Sequence, residues 1–179
     1  GVVGYKPSFG LVPRTAMLKT TDTLDTIGWI SRSTNDALLL LDHLRVSGPN
    51  YPIIEKYFDS RALSDSVIKS KRIGILTDDK LYANFDSSIQ KQFESVVQVF
   101  VDLGLQIESI KLPKELRQAH KCHEVIYSKC LSYYFREEWA RCKDQFSEIL
   151  SNMIIRGQGI SLEQYKSALN EQVRLRHCY

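Results

Sequence analysis

Residues 119–124, AHKCHE, are the densest group of metal-binding residue types in the sequence. They bring together two histidines, a cysteine and a glutamate: His120, Cys122, His123 and Glu124. On a helix, His120 shares a face with His123 and Glu124. A zinc site would need a second cluster such as HExxH or a cysteine pair, and only His177-Cys178 offers a candidate. The pattern therefore favours a solvent-facing histidine pair with Cys122 packed inward, and we expect neither a metal nor another cofactor.

Two further patterns of catalytic and phosphate-binding sites are incomplete. Ser66 and Lys69 match SxxK, in which the lysine lies one helical turn from the serine and can deprotonate it. The companion signatures SDN and KTG are absent, so we interpret both residues as surface residues. The glycines at positions 1, 4 and 10 do not form a phosphate loop, because neither GxxxxGK[ST] nor GxGxxG is present. No GxSxG elbow is present either.

The remaining candidates could bind a ligand rather than catalyse a reaction. Residues 18–26, LKTTDTLDT, form a polar loop dense in hydroxyls and carboxylates. An aromatic cluster on a predicted helix consists of Tyr133, Tyr134, Phe135 and Trp139. Such a cluster is most often helix core, but it can also line a ligand pocket. The sequence leaves both interpretations open.

Size and composition exclude several classes of protein. The 179 residues suit one domain with a sizeable core. With 24 basic and 21 acidic side chains, the net charge of +3 is too balanced to indicate a nucleic-acid partner or an anionic membrane surface. The longest apolar runs are far shorter than the roughly 18 residues that span a bilayer. The 4 cysteines have neither the paired spacing of a zinc site nor the density of a disulfide scaffold, which favours a reducing, cytoplasmic setting.

Short apolar runs and turn residues predict α/β structure in residues 1–46. Val2–Tyr5 and Ile27–Ser31 are predicted strands. A helix is predicted to begin at Ser33 or Thr34, with Asp36 at the capping-box spacing. Its leucines run nearly all the way round, which predicts a well-buried helix. Residues 47–49, Ser-Gly-Pro, are expected to stop it.

Residues 71–112 show the order strand, helix, strand. Arg72–Thr77 is an apolar strand, Asp86 can cap a helix that Gly104 ends, and Leu105–Ile110 alternates between apolar and polar residues. This βαβ order predicts parallel pairing with a right-handed crossover. Residues 47–70 are interpreted as an exposed connecting excursion.

Residues 114–179 are predicted to be helical. One long or broken helix runs to about Arg156, where Gly157 and Gly159 are expected to interrupt it. Ser161 then begins a last helix over residues 162–177. This pattern is still running at Tyr179, and the sequence does not begin with methionine. Both ends are therefore expected to be cuts within a longer chain.

Two stretches near the start resemble the amidase signature family. Members carry CG-x-x-G-x-KP-[ST]-x-G, followed by D-x-x-GP-x-a-R-[ST]-x-x-D and an apolar helix. The first pattern is matched by Gly1, Gly4, Lys6, Pro7, Ser8 and Gly10. The second is matched by Asp25, Gly28, Arg32, Ser33 and Asp36, with Trp29 in place of the frequent proline. Beyond residue 46 the resemblance is one of layout only.

The resemblance implies an α/β fold in one incomplete domain over residues 1–179. We expect a partial amidase-signature core with a mixed β-sheet flanked by helices, and a mainly helical C-terminal part. Its segments are a core segment (1–46), a connecting excursion (47–70), the βαβ unit (71–112) and the helical region (114–179).

The resemblance also implies a reaction. Members break the C–N bonds of amides by acyl transfer, using a serine nucleophile, a second serine on a cis peptide and a lysine as base. All three precede the segment that matches from Gly1 onward. We therefore assign no catalytic residue in this sequence and expect the chain alone to be inactive. Ser8, Ser31 and Ser33 match non-catalytic positions of the pattern.

The matched residues themselves are expected to be structural. They are Gly4, Lys6, Pro7, Gly10, Gly28, Arg32 and Asp36. Lys6 and Pro7 would fix the exit of the first strand, and Arg32 would pair with a carboxylate, for which Asp25 is a candidate. In an alternative interpretation the TTDTLD loop borders the substrate pocket, with Thr21, Thr23 or Asp25 touching substrate.

Three functions stay open at this point. The chain could be an inactive piece of a serine amidase that hydrolyses a small-molecule amide. It could instead belong to the amidase-like subunit of a glutamine-dependent tRNA amidotransferase, although LKTTDTLD differs from the FASSLDQ-like stretch of that subunit. The third alternative is a non-catalytic binding scaffold. A homodimer is left open.

Overall fold

The computed structural model describes residues 1–46, 72–76 and 85–178. The chain divides into two compact units, one formed by Gly1–Phe58 with Gln118–Tyr179 and the other by Asp59–Arg117. The single domain expected over residues 1–179 stays a prediction. The expected excursion over 47–70, which includes the SxxK pair, lies outside the described residues.

The first unit begins with an antiparallel pair of short strands. β1 (Val3–Tyr5) pairs with β2 (Trp29–Ser31), and the rings of Tyr5 and Trp29 stack with their centroids 5.0 Å apart. Gly28 lies directly before β2. A β-carbon at this position would come within 2.7 Å of the Tyr5 carbonyl oxygen. Glycine is therefore required for the close approach of the two backbones.

Helix α1 (Thr34–Leu44) begins where the sequence predicts it. Ser33 is the N-cap, and its Oγ accepts a hydrogen bond from the backbone N–H of Asp36 at 3.1 Å. Leu41 is buried, whereas Leu39 is 58% exposed. The prediction that α1 is buried nearly all round is therefore wrong, because only one face of the helix meets the rest of the unit.

The second unit holds a parallel pair of strands and one helix. These are β3 (Arg72–Leu76), α2 (Ser87–Asp102) and β4 (Gln106–Ile110). The parallel pairing of β3 with β4 confirms the prediction. Asp86 caps α2 by accepting a hydrogen bond from the N–H of Ser88 at 2.8 Å. Gly104 follows the helix with φ at +75°, a conformation that glycine adopts readily.

The chain after β4 is helical, as predicted. A 3-10 turn (Lys114–Gln118) leads into the following elements: α3 (Ala119–Tyr134), α4 (Arg136–Cys142), a second 3-10 turn (Lys143–Gln145), α5 (Glu148–Gly159) and α6 (Leu162–Arg176). Helix α3 contacts both α5 and α6. Ile126 and Leu131 of α3 and Ile154 of α5 are fully buried, so the core of this part lies along α3.

Gly157 does not interrupt a helix, contrary to the sequence-based expectation. It lies inside α5, which continues to Gly159. A β-carbon at Gly157 would overlap the carbonyl oxygen of Ser128 on α3. The glycine is therefore needed for close packing of α5 on α3 rather than for a break. The next helix, α6, begins after a capping box formed by Ser161 and Gln164, which confirms its predicted start.

The fold class is α/β, as predicted. The described strands form one antiparallel and one parallel pair, and helices dominate the sequence after residue 114. Across the described ranges, no helix has both the length and the apolar character required to cross a membrane.

Candidate functional site

The loop at residues 20–25, TTDTLD, is organised around one carboxylate. Asp25 Oδ2 accepts hydrogen bonds from the backbone N–H groups of Thr20 and Thr21 at 2.8 and 2.9 Å. Asp25 Oδ1 accepts from the hydroxyls of the same two threonines at 2.6 and 2.9 Å. Burial acts to raise the pKa of Asp25, but these hydrogen bonds outweigh it and hold the pKa below its ordinary value. Asp25 is thus kept ionised by groups within its own loop.

Thr21 is the buried centre of this loop. It has no exposed surface, and its Oγ1 accepts hydrogen bonds from the N–H groups of Leu24 and Asp25 at 3.1 and 3.0 Å. The same hydroxyl donates to Asp25 Oδ1. A hydroxyl has one donor and two acceptor sites, so the hydrogen-bonding capacity of the Thr21 hydroxyl is fully used within the loop.

Side chains from outside the loop hold its backbone in place. Arg14 donates to the carbonyl oxygen of Asp22 at 2.8 Å, and Arg176 of α6 donates to the carbonyl oxygen of Thr23 at 3.4 Å. The ring of Phe9 contacts both guanidinium groups, with its centroid 4.9 Å from Arg14 and 5.7 Å from Arg176. The loop is therefore fixed both to the segment after β1 and to α6.

Asp22, at the exposed side of the loop, lines a cavity of about 250 Å³ together with residues of α3 and α6. The other lining residues are Lys129, Cys130, Tyr133, Tyr134, Leu162 and Tyr165. The hydroxyl of Tyr134 donates a hydrogen bond to Asp22 Oδ1. Mostly apolar and aromatic walls with a few converging polar groups are typical of a ligand-binding cavity.

The hydroxyls of Tyr134 and Tyr165 in the cavity stay protonated at neutral pH. The hydrogen bond to Asp22, together with partial burial, raises the pKa of Tyr134 to about 12. Burial raises the pKa of Tyr165 well above its ordinary value, and its hydroxyl lies 3.4 Å from Cys130 Sγ, which raises the pKa further. Both hydroxyls are therefore hydrogen-bond donors or acceptors and not bases.

Lys129 is held by the end of helix α5. Its Nζ donates to the carbonyl oxygens of Gly157 and Ile160 at 3.3 and 2.5 Å. The last carbonyl groups of a helix lack partners within the helix and carry partial negative charge. The ammonium group of Lys129 thus satisfies these carbonyls at the edge of the cavity.

The three loop residues predicted to touch substrate have different surroundings in the structure. Thr21 and Asp25 bond to each other inside the loop, and Thr23 Oγ1 is buried with no hydrogen-bond partner among the described residues. The contact of Thr21, Thr23 or Asp25 with substrate stays a prediction. Asp22, for which the sequence predicts no role, is the loop residue that lines the cavity. Thr21 stands four residues before Asp25, a spacing at which side chains can bond within a turn, and this could have indicated that Asp22 faces outward.

Most of the motif residues have visible structural roles. Pro7 is buried, and its carbonyl oxygen accepts a hydrogen bond from Lys6 Nζ at 3.0 Å. Gly10 has φ at +80°, whereas a β-carbon at Gly4 would meet nothing within 4 Å. Gly28 and Asp36 act at the β1–β2 contact and at the start of α1, as described above.

The pairing of Arg32 with a carboxylate stays a prediction, but Asp25 is not its partner. Its side chain is exposed, and Asp25 bonds to Thr20 and Thr21 instead. Within the described residues, no ion pair joins Arg32 to Asp25.

The histidine and cysteine cluster of α3 is arranged as predicted. His120 and His123 are exposed, and Cys122 is buried, with its Sγ donating to the carbonyl oxygen of Ala168 at 3.0 Å. Burial raises the pKa of the Cys122 thiol. Cys122 also lines a second cavity of about 650 Å³ between α3 and α6.

Comparison with known proteins gives matches over the whole sequence and over parts of it. A family model described as Amidase matches residues 1–179. The A-type subunit of the glutamyl-tRNA(Gln) amidotransferase of Prochlorococcus marinus is 31% identical over 120 residues, which cover 64% of this chain and 24% of that protein. The corresponding protein of Pseudothermotoga lettingae is 25% identical over 114 residues, which cover 63% and 24%. The chain spans about a quarter of the length of these curated relatives.

Solved structures share the fold. A crystal structure of an amidase has a TM-score of 0.78 at 19% identity, with 99% of this chain and 37% of that chain covered. A bacterial aryl acylamidase of the amidase signature enzymes has a TM-score of 0.64 at 20% identity, with 97% and 38% covered. Because the family model covers the entire sequence, this chain belongs to the amidase family.

Proposed function

We propose that the protein carrying this sequence hydrolyses the C–N bond of a small-molecule carboxamide by serine acyl transfer. The family match over residues 1–179 carries the proposal. The nucleophilic serine, the second serine and the lysine base are proposed to lie outside these 179 residues, because the motif that resembles the family begins after the positions of all three. The chain alone is then inactive.

Within this reaction the chain supplies a binding surface. The cavity next to Asp22 offers a carboxylate acceptor, two protonated tyrosine hydroxyls and apolar walls. These groups can hold the polar and apolar parts of an amide substrate at the same time. The hydrogen bonds of Thr21 and Asp25 keep the loop, and with it Asp22, in one conformation. A fixed binding group favours catalysis because it holds the substrate in a productive orientation.

A fluorophosphonate probe, which reacts with activated serines, tests the proposal. The complete protein that carries this sequence is expected to be labelled and to release amine from acetanilide. The 179-residue chain expressed alone is expected to remain unlabelled. Ser8→Ala and Ser33→Ala variants of the complete protein serve as controls and should keep full labelling. Labelling of the isolated chain, or loss of labelling in either control, would show that the nucleophile is misplaced.

A second candidate function is supported by the curated relatives. The proteins named above are components of a glutamyl-tRNA(Gln) amidotransferase. This protein could therefore release ammonia from glutamine as one component of a complex. Glutamine hydrolysis that depends on added partner proteins, with no hydrolysis of acetanilide, would favour this candidate. Hydrolysis of acetanilide by the protein without partners would favour the amidase.

The proposal also covers the cellular compartment, the binding partner and the oligomeric state of the protein. All 4 cysteines of the sequence are free thiols, which supports a reducing, cytoplasmic setting. The partner is a small-molecule amide, and the net charge of +3 gives no support to a nucleic-acid partner. A homodimer stays open.

A further inference from the structure

The cavity between the TTDTLD loop, α3 and α6 contains one carboxylate among its lining residues, all of which the structure describes. Asp22 Oδ1 accepts the hydrogen bond from Tyr134, and no described residue donates to Asp22 Oδ2. The hydrogen bond fixes the carboxylate beside the cavity. One oxygen of a fixed carboxylate is therefore free to accept a hydrogen bond from a ligand, most strongly from a charged donor.

Aromatic rings surround this carboxylate. Tyr133, Tyr134 and Tyr165 all line the cavity, and the rings of Tyr133 and Tyr134 meet edge to face with centroids 5.4 Å apart. The guanidinium group of Arg136 already lies 4.6 Å from the centroid of Tyr133. The faces of such rings carry partial negative charge and attract cations. The carboxylate and the aromatic rings therefore both favour a positively charged ligand.

The positive charge of Lys129 does not cancel this preference. Its ammonium group donates to two carbonyl oxygens at the end of α5, at Gly157 and Ile160. Partial negative charge at a helix C-terminus offsets a cation placed there. The negative charge of Asp22 therefore remains available to a ligand.

We propose that this cavity binds an ammonium group, so that the substrates of the protein are amides that also carry an amine in its protonated form. This substrate class rests on the proposed amide hydrolysis. A volume of about 250 Å³ has room for an ammonium group and a short apolar stem against Leu162. The ammonium group donates to Asp22 and lies beside the tyrosine rings, whose faces attract it.

Binding of two small probes to the complete protein tests the site. Benzylammonium chloride carries the charge, and benzyl alcohol has nearly the same shape without it. Isothermal titration calorimetry at pH 7 should give an affinity about tenfold higher for benzylammonium. Asp22→Asn should lower that affinity about tenfold, to the level of benzyl alcohol. Asp144→Asn, at an exposed carboxylate outside the cavity, should leave both affinities unchanged. Equal binding of the two probes, or no effect of Asp22→Asn, would overturn the proposal.

Two further measurements do not depend on the folding of Asp22→Asn. Added salt should weaken the binding of benzylammonium to the unaltered protein while leaving benzyl alcohol unaffected, because salt screens charge attraction. The variant Tyr134→Phe keeps the charge and the ring, so it should still prefer benzylammonium. Binding of benzylammonium that does not change with salt would count against a charged contact.

Hydrolysis of two anilides separates this proposal from the amidase function on which it rests. Glycine anilide carries an ammonium group, and acetanilide does not. The complete protein should hydrolyse glycine anilide with about tenfold higher kcat/KM, chiefly through a lower KM. Equal hydrolysis of both would reject the ammonium site and leave the amidase function intact. Binding of benzylammonium without hydrolysis of either anilide would reject the amidase function and leave the binding site intact.

Discussion

The carboxylate of Asp25 is held in its ionised form by hydrogen bonds from within its own loop. Four hydrogen-bond donors from Thr20 and Thr21 point at its two oxygens. A protonated carboxyl group would have to give up at least one of these bonds, because one oxygen would then carry a proton. The ionised form is therefore part of the folded structure.

Replacing Asp25 with asparagine should lower the free energy of unfolding at pH 7. We expect a loss of about 2 kcal/mol, because hydrogen bonds to a charged group contribute about 1.5–3 kcal/mol. Asp144→Asn is the control, and it should change the free energy by less than about 0.5 kcal/mol, as is usual at exposed positions. Denaturant titration measures both. An Asp25→Asn variant as stable as the control would contradict the role of the charge.

The pH dependence of this difference gives a second test. The pKa of Asp25 is lower in the folded than in the unfolded chain. Its stabilisation is therefore fully present above the unfolded carboxyl pKa of about 3.9 and is lost as the pH falls through the lower, folded value. The stability difference between the unaltered chain and Asp25→Asn should shrink below about pH 4. A difference that stays constant down to pH 3 would show that the charge is not its source.

The loop also shows what the sequence could predict about the site. The density of hydroxyls and carboxylates in TTDTLD predicted a polar loop, with the border of a substrate pocket as an alternative interpretation. It did not indicate which side chains point inward, because Thr21 and Asp25 are equally able to bond to a ligand or to each other. Only the folded geometry shows that they bond to each other and that Asp22 lines the cavity.

Among the elements, helix starts were predicted well because their causes are local. Ser33, Asp86 and Ser161 each accept a hydrogen bond from a backbone N–H two or three residues later. Such bonds depend on neighbours in the sequence, so a capping residue identifies them. The parallel pairing of β3 with β4 was also predicted, because the βαβ order permits few alternatives.

The prediction that Gly157 interrupts a helix was wrong, because the contact that requires glycine is made with a different helix. Glycine within a predicted helix ordinarily indicates a break, since it destabilises a helix by about 1 kcal/mol relative to alanine. Here the carbonyl oxygen of Ser128, on α3, occupies the space that a side chain would need. A contact between residues 29 positions apart leaves no local signal in the sequence.

Two alanine substitutions in α5 test this explanation. Gly157→Ala should lower the free energy of unfolding by about 3 kcal/mol or more, because overpacking displaces α5 from α3. Gly159→Ala is the matched control in the same helix, where a β-carbon would meet nothing within 4 Å. It should be neutral or stabilising by up to about 1 kcal/mol. Thermal and denaturant unfolding measure both variants, and equal effects would contradict the close-packing role of Gly157.

For the molecule as a whole, the family could be recognised from 36 residues, but the outer surface could not be predicted. The spaced glycines, the Lys-Pro pair and Arg32 of residues 1–36 predicted the family that the match over 1–179 shows. The same residues gave no indication that Val2 and Ile30 would be 70% and 72% exposed. Exposure depends on what packs against a strand, and a short apolar strand has the same pattern whether it is covered or open.

The apolar exposure around β1 and β2 leads to a prediction about association. No other described strand pairs with β1 or β2, and exposed sheet edges beside apolar side chains promote pairing with other chains. The 179-residue chain alone should therefore self-associate at micromolar concentration in sedimentation velocity. The double variant Val2→Lys/Ile30→Lys should shift the distribution toward monomer. Ile149→Lys, at a residue 71% exposed on α5, is the matched control and should have little effect. A monomeric unaltered chain, or equal effects of both variants, would show that the β1–β2 surface does not drive association.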